Sequence, residues 1–307
     1  MQTLTKHNRP PYGSAAELHA HLSGSISRQF LRKALRRETC DSFLTPPQNL
    51  KDCFEYFKWV HTFIRSKEEL KVSTRAVLES FANDGVKYLE LRTSPKHLAD
   101  GTSPASYIAT VLDEMYAIKN IESNLILSID RSRGCENAAI VTRLFEAFSK
   151  EDKLVGADFS GNPEISSFSK YRHFFDSIRR LGFKTTLHCA ETKSCKDTDA
   201  ILDFQPDRIG HAIWLNEKQE QRILDMKIPV EVCYSSNLIA AEMGDMQHNV
   251  INWHKHNHPF IICTDDTGLF NTNQVNEYLQ VSSLLKLSPQ EQSQLAKSSL
   301  NYTFSRK

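Results

Sequence analysis

The residues best equipped for chemistry in this chain are histidines and carboxylates at the ends of short apolar runs: Glu17-Leu18-His19-Ala20-His21, Leu187-His188-Cys189-Ala190-Glu191, Gly210-His211 and Cys263-Thr264-Asp265-Asp266. In an extended strand residues two apart share a face, so His19 and His21 point one way while Leu18, Ala20 and Leu22 point the other. Two imidazoles side by side suit a divalent metal, although an isolated His-x-His is more often an ordinary strand edge. His188 and Asp265 complete a set of three histidines and one carboxylate that leaves a coordination position for water. Zinc suits those donors, and iron, cobalt and manganese are alternatives. Taken singly, His188 reads equally well as a hydrogen-bonded core histidine and Asp265-Asp266 as a polar turn. Adjacent carboxylates repel each other unless a cation or proton stands between them, which favours one on the metal and the other on substrate or water. Glu191, three residues after His188, is placed to carry a proton beside the metal without ligating it. His211 could take the proton of the activated water, its plainer reading being a capping or structural histidine. The inventory is that of a mononuclear metal hydrolase.

Residues spread from 17 to 266 can meet only if the fold gathers strand ends at one face. Aliphatic and β-branched runs bounded by polar breakers predict strands at 17–22, 86–92, 124–129, 155–160, 184–189, 207–211, 229–235 and 259–265. Helical patterns fill the gaps. Ser66 and Glu69 form a capping box ahead of a stretch reaching Asn83, with Gly85 beyond it, and Ser288-Pro289-Gln290-Glu291 opens another helix. Eight strands alternating with helices predict an α/β fold, a (β/α)8 TIM barrel of the metal-dependent hydrolase type. An open doubly wound sheet shows the same alternation, but the glycine fingerprint of its dinucleotide sites is missing, and it would spread apart the ends of the first, fifth, sixth and eighth strands. The expected organisation is a flexible leader over 1–15 and one catalytic barrel domain over 16–307. A lid insertion is expected around 40–65, where Cys53 to His61 reads as an extra amphipathic helix whose aromatic stripe packs down on one face and covers the site with its edge.

A chain of 307 residues with 40% hydrophobic content can bury one large core. A net charge of +1 excludes a general electrostatic attraction to nucleic acid or anionic membrane, so the expected partner is a small molecule bound by a monomer. Seven cysteines without a CxxC pair, with Cys189, Cys233 and Cys263 inside strands, read as buried thiols in a reducing compartment. No apolar stretch approaches a membrane span and no secretion signal is apparent, so a cytoplasmic location is expected.

Read in order, Glu17-Leu18-His19-Ala20-His21-Leu22, Asp84 to Arg92, Asp158-Phe159-Ser160-Gly161-Asn162-Pro163, His188-Cys189-Ala190-Glu191, Arg208-Ile209-Gly210-His211 and Thr264-Asp265-Asp266 resemble the adenosine deaminase family of zinc barrels. The resemblance covers nearly the whole chain and is strongest to the N6-methyl-AMP deaminase branch, whose Leu-His-Ala-His-Leu-Asn-Gly-Ser start is nearly repeated by Leu18 to Ser25. It implies one zinc ion per subunit on His19, His21, His188 and Asp265, with Glu191 protonating purine N1 and His211 orienting and deprotonating the water. It implies further that Asp266 bonds the attacking water or purine N7 and that the backbone of Gly161 contacts the base. The implied reaction is hydrolytic deamination of the purine nucleotide N6-methyl-AMP to IMP and methylamine. A nucleoside-specific adenosine deaminase and a non-catalytic metal-stabilised binding protein are the alternatives. Cytidine-deaminase chemistry is excluded because its H-x-E and P-C-x-x-C signature is absent.

Adenosine deaminases that act on the nucleoside carry an aspartate where this chain has Ser23, and the N6-methyl-AMP branch carries asparagine there. A carboxylate 4 Å from a phosphate would be repelled by about 4 kcal/mol per charge pair at an effective dielectric near 20. A neutral Ser23 removes that penalty. Thr93-Ser94-Pro95-Lys96 offers two hydroxyls and an ammonium suited to phosphate oxygens, and His61 shares a helical face with Phe54, Phe57 and Ile64. The resemblance assigns nucleotide contacts to His61, to Thr93, Ser94, Pro95 and Lys96, and to Asp130; His21 and Ser23 are expected beside the substrate. His254, His256 and His258 precede the eighth strand, at the barrel face away from the site, and read as a solvated turn. Arg32, Lys33, Arg36 and Arg37 read as a solvated helix face.

Overall fold

A computed structural model of the chain describes residues 15–34, 47–242, 244 and 249–304. Eight parallel strands follow one another in sequence order: β1 (Ala16–His21), β2 (Tyr88–Thr93), β3 (Glu122–Asp130), β4 (Leu154–Ser160), β5 (Lys184–Cys189), β6 (Arg208–His211), β7 (Val230–Cys233) and β8 (Phe260–Cys263). The sheet curls into a near-closed barrel. Its first and last members are joined where His21 N–H donates to the Asp265 carbonyl at 3.0 Å and Asp265 N–H to the His19 carbonyl at 2.8 Å. The residues that close the ring are themselves candidate metal ligands.

Each expected run overlaps a strand. The expected seventh and eighth run two residues too far at their C-terminal ends, because Tyr234 already begins the helix Tyr234–Ala241 and Asp265 takes a left-handed φ of 60°. Ser66 and Glu69 form a reciprocal capping box on the helix Lys67–Asn83, and Ser288 and Glu291 do so on Pro289–Ser298. Each side-chain cap contributes about 1 kcal/mol by satisfying orphan amides. The aliphatic sides of the strands and the facing helices share one continuous apolar core, in which Phe159 of β4 stacks against Phe168, Tyr171 and Phe175 with ring centroids 5.3, 5.1 and 5.7 Å apart.

The barrel interior is filled by charge. Glu17, Glu90, Arg92, Asp158, Arg208 and Glu231 are all buried there. Arg92 donates to Asp158 at 3.1 Å and to Glu231 at 3.0 Å, and Arg208 Nε donates to the other Glu231 oxygen at 2.7 Å. Arg208 also pairs with Glu90. Arg92, Asp158, Arg208, Glu90 and Glu231 are tolerated in low dielectric because each faces an opposite charge, whereas Glu17 faces none and burial pushes its carboxyl up to about 8.

The expected leader lies outside the described residues apart from Ala15, as do residues 40–46 of the expected lid. The remainder of that insertion contains the helix Leu50–His61, which packs against Tyr234–Ala241 and buries Cys53, Tyr56 and Val60. Of the basic run, Lys33 is exposed, while Arg36, Arg37 and the Arg32 side chain lie outside the described residues. His254 and His256 are exposed as expected, but His254 lies in the helix Val250–Lys255 rather than in a turn. His258 departs from that expectation: it is buried, with Nε2 2.8 Å from the Ile228 carbonyl, because one ring nitrogen can satisfy a loop carbonyl while the ring packs on Trp253. No helix among the described residues is long and apolar enough to cross a membrane.

Candidate metal centre

At the C-terminal ends of the strands, one donor atom each from His19, His188, His211 and Asp265 lie within 4.8 Å of one another, all four residues buried. His21 joins them, its Nε2 standing 3.1 Å from His188 Nε2 and 3.4 Å from Asp265 Oδ1. Five side chains thus converge where the sequence suggests four ligands and a separate base. What distinguishes them is the partner on the far ring nitrogen. His19 Nδ1 lies 2.6 Å from Glu231 Oε2 and His188 Nδ1 2.9 Å from Asp158 Oδ1, whereas His211 Nδ1 faces Asn237 Oδ1 at 2.8 Å. Each partner is an acceptor, which places a proton on Nδ1 and turns Nε2 toward the centre. Carboxylate backing makes an imidazole a better ligand, and amide backing leaves one less basic.

The Nε2 atoms of His19 and His211 are buried and have no hydrogen-bond partner among the described residues. An unsatisfied buried polar atom costs about 1–3 kcal/mol, so two at one point mark a place built for something they can bind. A divalent ion with an attached water fits this donor set. Ser236 Oγ donates to Asp265 Oδ2 at 2.7 Å and leaves Oδ1 facing the histidines, 3.5 Å from His19 Nε2.

Burial raises the Asp265 carboxyl, but the surrounding imidazoles outweigh it and hold the group well below the usual carboxylate range. Asp266 goes the opposite way, pushed well above its ordinary value by burial and by the charge of Asp265. The adjacent pair is therefore driven apart, with the negative charge favoured on Asp265. Burial lowers His21 and His211, whereas at His188 the Asp158 carboxylate outweighs burial and lifts the imidazole to about 9.

The backbone is bent to aim these groups. Ala190, His211, Ala212 and Asp265 hold left-handed φ values of 56°, 63°, 53° and 60° at the ends of β5, β6 and β8. Such conformations cost on the order of 1–3 kcal/mol each for residues with a Cβ and cluster at functional sites. Gly210 is required by close approach, since a Cβ there would stand 2.8 Å from His19 Cε1. A Cβ on Gly24 would overlap the Asp266 carboxylate.

Above the centre opens a cavity of about 860 Å³, counting the space at its mouth. Of the residues singled out from sequence, His21, Ser23, Ser94, Asp130, Gly161, Glu191, His211, Asp265 and Asp266 line it. Glu191 Oε1 stands 3.9 Å from His211 Nε2. His19 and His188 lie in its floor, wholly or almost wholly buried. Thr93 is turned elsewhere, its hydroxyl sharing a hydrogen bond with Tyr107 OH at 2.9 Å. The carbonyls of Ser94 and Pro95 each lie 3.4 Å from Arg133 Nη1, and burial together with Arg133 lowers the Lys96 ammonium to about 8. The side chain of His61 lies outside the described residues. Phe57 of the expected aromatic lid lines the cavity, while sequence reasoning gave no role to Ile213, Phe270, Ser132 and Ser160 on its wall, or to Asp158, Glu231 and Asn237 behind the histidines. Asp158 and Glu231 carried one usable signal, a carboxylate interrupting an apolar strand.

The family model described as adenosine deaminase matches residues 14–307. The chain is 32% identical to the N6-methyl-AMP deaminase of Homo sapiens, covering 94% of this chain and 88% of that protein. It is 31% identical to the N6-mAMP deaminase of Arabidopsis thaliana, over 94% and 91% of the two chains. Among solved structures, Arabidopsis ADAL complexed with IMP superposes with a TM-score of 0.91 at 31% identity, covering 97% of this chain and 94% of that one.

Proposed function

The chain belongs to the adenosine deaminase family of hydrolytic deaminases, and from that premise we propose that it converts N6-methyl-AMP and water to IMP and methylamine, using one zinc ion per subunit. The observation that carries the metal part is the convergence of unpartnered Nε2 atoms on Asp265 beneath a cavity that also exposes Glu191. The relatives' activity and the nucleotide held by a solved relative support the choice of substrate.

His19, His21, His188 and Asp265 would hold the ion, which when bound supplies Lewis-acid activation of a water molecule, lowering its pKa to about 7. His211 is the member of the cluster backed by a neutral amide, and burial keeps it unprotonated, so its Nε2 is free to take the proton of that water. Glu191 delivers a proton to purine N1 and makes C6 electrophilic. The water oxygen bonds to C6, the C6–N6 bond breaks as C6=O forms, methylamine leaves with the proton held at His211, and the second proton of the water returns to Glu191. Asp266, whose carboxyl burial pushes up, would hydrogen-bond the attacking water or, where it carries a proton, donate to N7. The Gly161 backbone meets the base edge, while Phe57, Ile213 and Phe270 give the cavity its apolar walls and exclude water.

At the 5′ end, Ser23 places no charge on the wall, and Ser94 and Lys96 supply a hydroxyl and an ammonium for phosphate. Asp130 accepts from Ser132 N–H at 2.8 Å and pairs with Arg133 at 3.3 Å, so its charge is largely neutralised before a nucleotide arrives. Steady-state rates on N6-methyl-AMP, AMP, N6-methyladenosine and adenosine, measured in parallel with zinc-loaded protein, test the assignment. N6-methyl-AMP is expected to react best. A preference for adenosine would keep the chemistry and overturn the phosphate reading.

A further inference from the structure

The charge lattice in the barrel does not end at the strands. Arg208 Nη1 donates to the Tyr302 carbonyl at 2.5 Å, and its Cζ lies 3.5 Å from the centroid of the Phe304 ring. Phe304 N–H donates to Glu90 Oε1 at 2.5 Å, and Tyr88 OH lies 2.9 Å from the Phe304 carbonyl and 3.0 Å from that same Glu90 oxygen. The ring sits in a built seat. A Cβ on Gly156 of β4 would stand 2.8 Å from Phe304 Cδ2, so the strand has no side chain where the ring rests, and Phe304 is 4% exposed.

From this seat a continuous set of contacts crosses the barrel. Arg208 Nε holds Glu231 Oε1 at 2.7 Å, and Glu231 Oε2 lies 2.6 Å from His19 Nδ1. We propose that the segment Tyr302–Phe304 is a positioning element for the metal centre at the opposite end of the barrel, acting on His19 through Arg208 and Glu231. The inference rests on reading His19 as a metal ligand.

The physical argument is one of over-determination. A guanidinium is a rigid fork, and Arg208 is fixed by two carboxylates, a backbone carbonyl and an aromatic face. With Arg92 donating to Glu231 Oε2 at 3.0 Å and Thr186 to Oε1 at 2.8 Å, that fixes the plane of the Glu231 carboxylate, which in turn fixes the ring of His19. Without the segment, Arg208 loses its carbonyl and its ring, Glu90 loses an amide donor, and water gains a path to buried charges. Glu231 then keeps Arg92 and Thr186 but loses a fixed Arg208, and the resulting shift of its carboxylate turns His19 away from the donor geometry. Loss of such an outer partner typically lowers metal affinity 10–100-fold.

The test is zinc affinity by chelator competition on the full chain, together with the thermal midpoint of each chelator-stripped protein. Phe304→Ala is expected to weaken zinc about tenfold or more, and Phe304→Leu, which keeps the apolar plug without the ring face, several-fold; Phe304→Tyr should restore wild-type affinity. Phe145→Leu, in the helix Gly134–Ala147, is the control for destabilisation alone and should leave zinc affinity unchanged. If Phe304→Ala and Phe304→Leu lower the midpoint but keep zinc affinity within twofold of wild type, the segment is only a plug and the proposal fails. Should Phe304→Ala not fold, Phe304→Leu decides alone. Wild-type affinity unaffected by His19→Ala would instead overturn the ligand reading on which the inference stands.

Discussion

The two ends of this barrel use the same residue types to opposite purposes. At the N-terminal ends of the strands Arg208, Glu90, Glu231 and Tyr88 satisfy one another, and the Tyr302–Phe304 segment covers them. At the C-terminal ends His19 Nε2, His211 Nε2 and Asp266 Oδ1 are buried with no hydrogen-bond partner among the described residues, and four non-glycine residues hold left-handed backbone. A saturated network lowers the energy of the fold, whereas an unsaturated one stores it for a ligand. Function is placed where the protein has left its polar groups incomplete.

If that contrast is right, substitutions at the two ends should separate activity from stability. The largest effect is expected at the top. Glu191→Gln should lower kcat by about 10²–10⁴ while zinc content and the thermal midpoint stay as in wild type, because Glu191 belongs to neither the ligand set nor the charge lattice. Retained turnover would remove Glu191 from the proton path.

At the bottom, Arg208→Met should leave Glu90 and Glu231 buried and uncompensated, costing about 3–5 kcal/mol in denaturant unfolding. A cost below 1 kcal/mol would show that the lattice does not stabilise the fold and would break the comparison.

A smaller effect sharpens the site's polar rim. Lys96 has its pKa lowered to about 8 by burial and by Arg133, so it carries its proton below that pH and loses it above. If it meets the phosphate, KM for the nucleotide should rise about fivefold between pH 8 and 9, while KM for the nucleoside stays flat. Parallel rises in both would detach Lys96 from phosphate recognition. The smallest effect is the control at the exposed histidines: His254→Ala and His256→Ala should change stability by less than about 0.5 kcal/mol and leave zinc content unaltered.

Much of the top was legible in the sequence, because period-two spacing in a strand fixes which side chains share a face, and histidine with carboxylate at strand ends has few structural uses. His19, His21, His188, His211 and Asp265 converge as that spacing implies. The bottom was far less legible. Glu231 matters because it lies against His19, 212 residues away in sequence, and only the register of the closed barrel brings them together. Asn237 was missed for a related reason: it lies in a helix starting at Tyr234, where an overlong seventh strand had been expected. Thr93 illustrates the limit of side-chain inventory, since a hydroxyl suited to phosphate is engaged by Tyr107 in a neighbouring helix. His258 shows the same limit in reverse, a residue read as solvated that the fold buries.

The most direct test of the account is a titration of zinc into chelator-stripped protein, with turnover of N6-methyl-AMP followed at each addition. Turnover should be absent from the stripped protein, rise linearly and break at one zinc per chain. Full turnover by stripped protein, or one tightly held zinc with no turnover of any of the four purines, would contradict it.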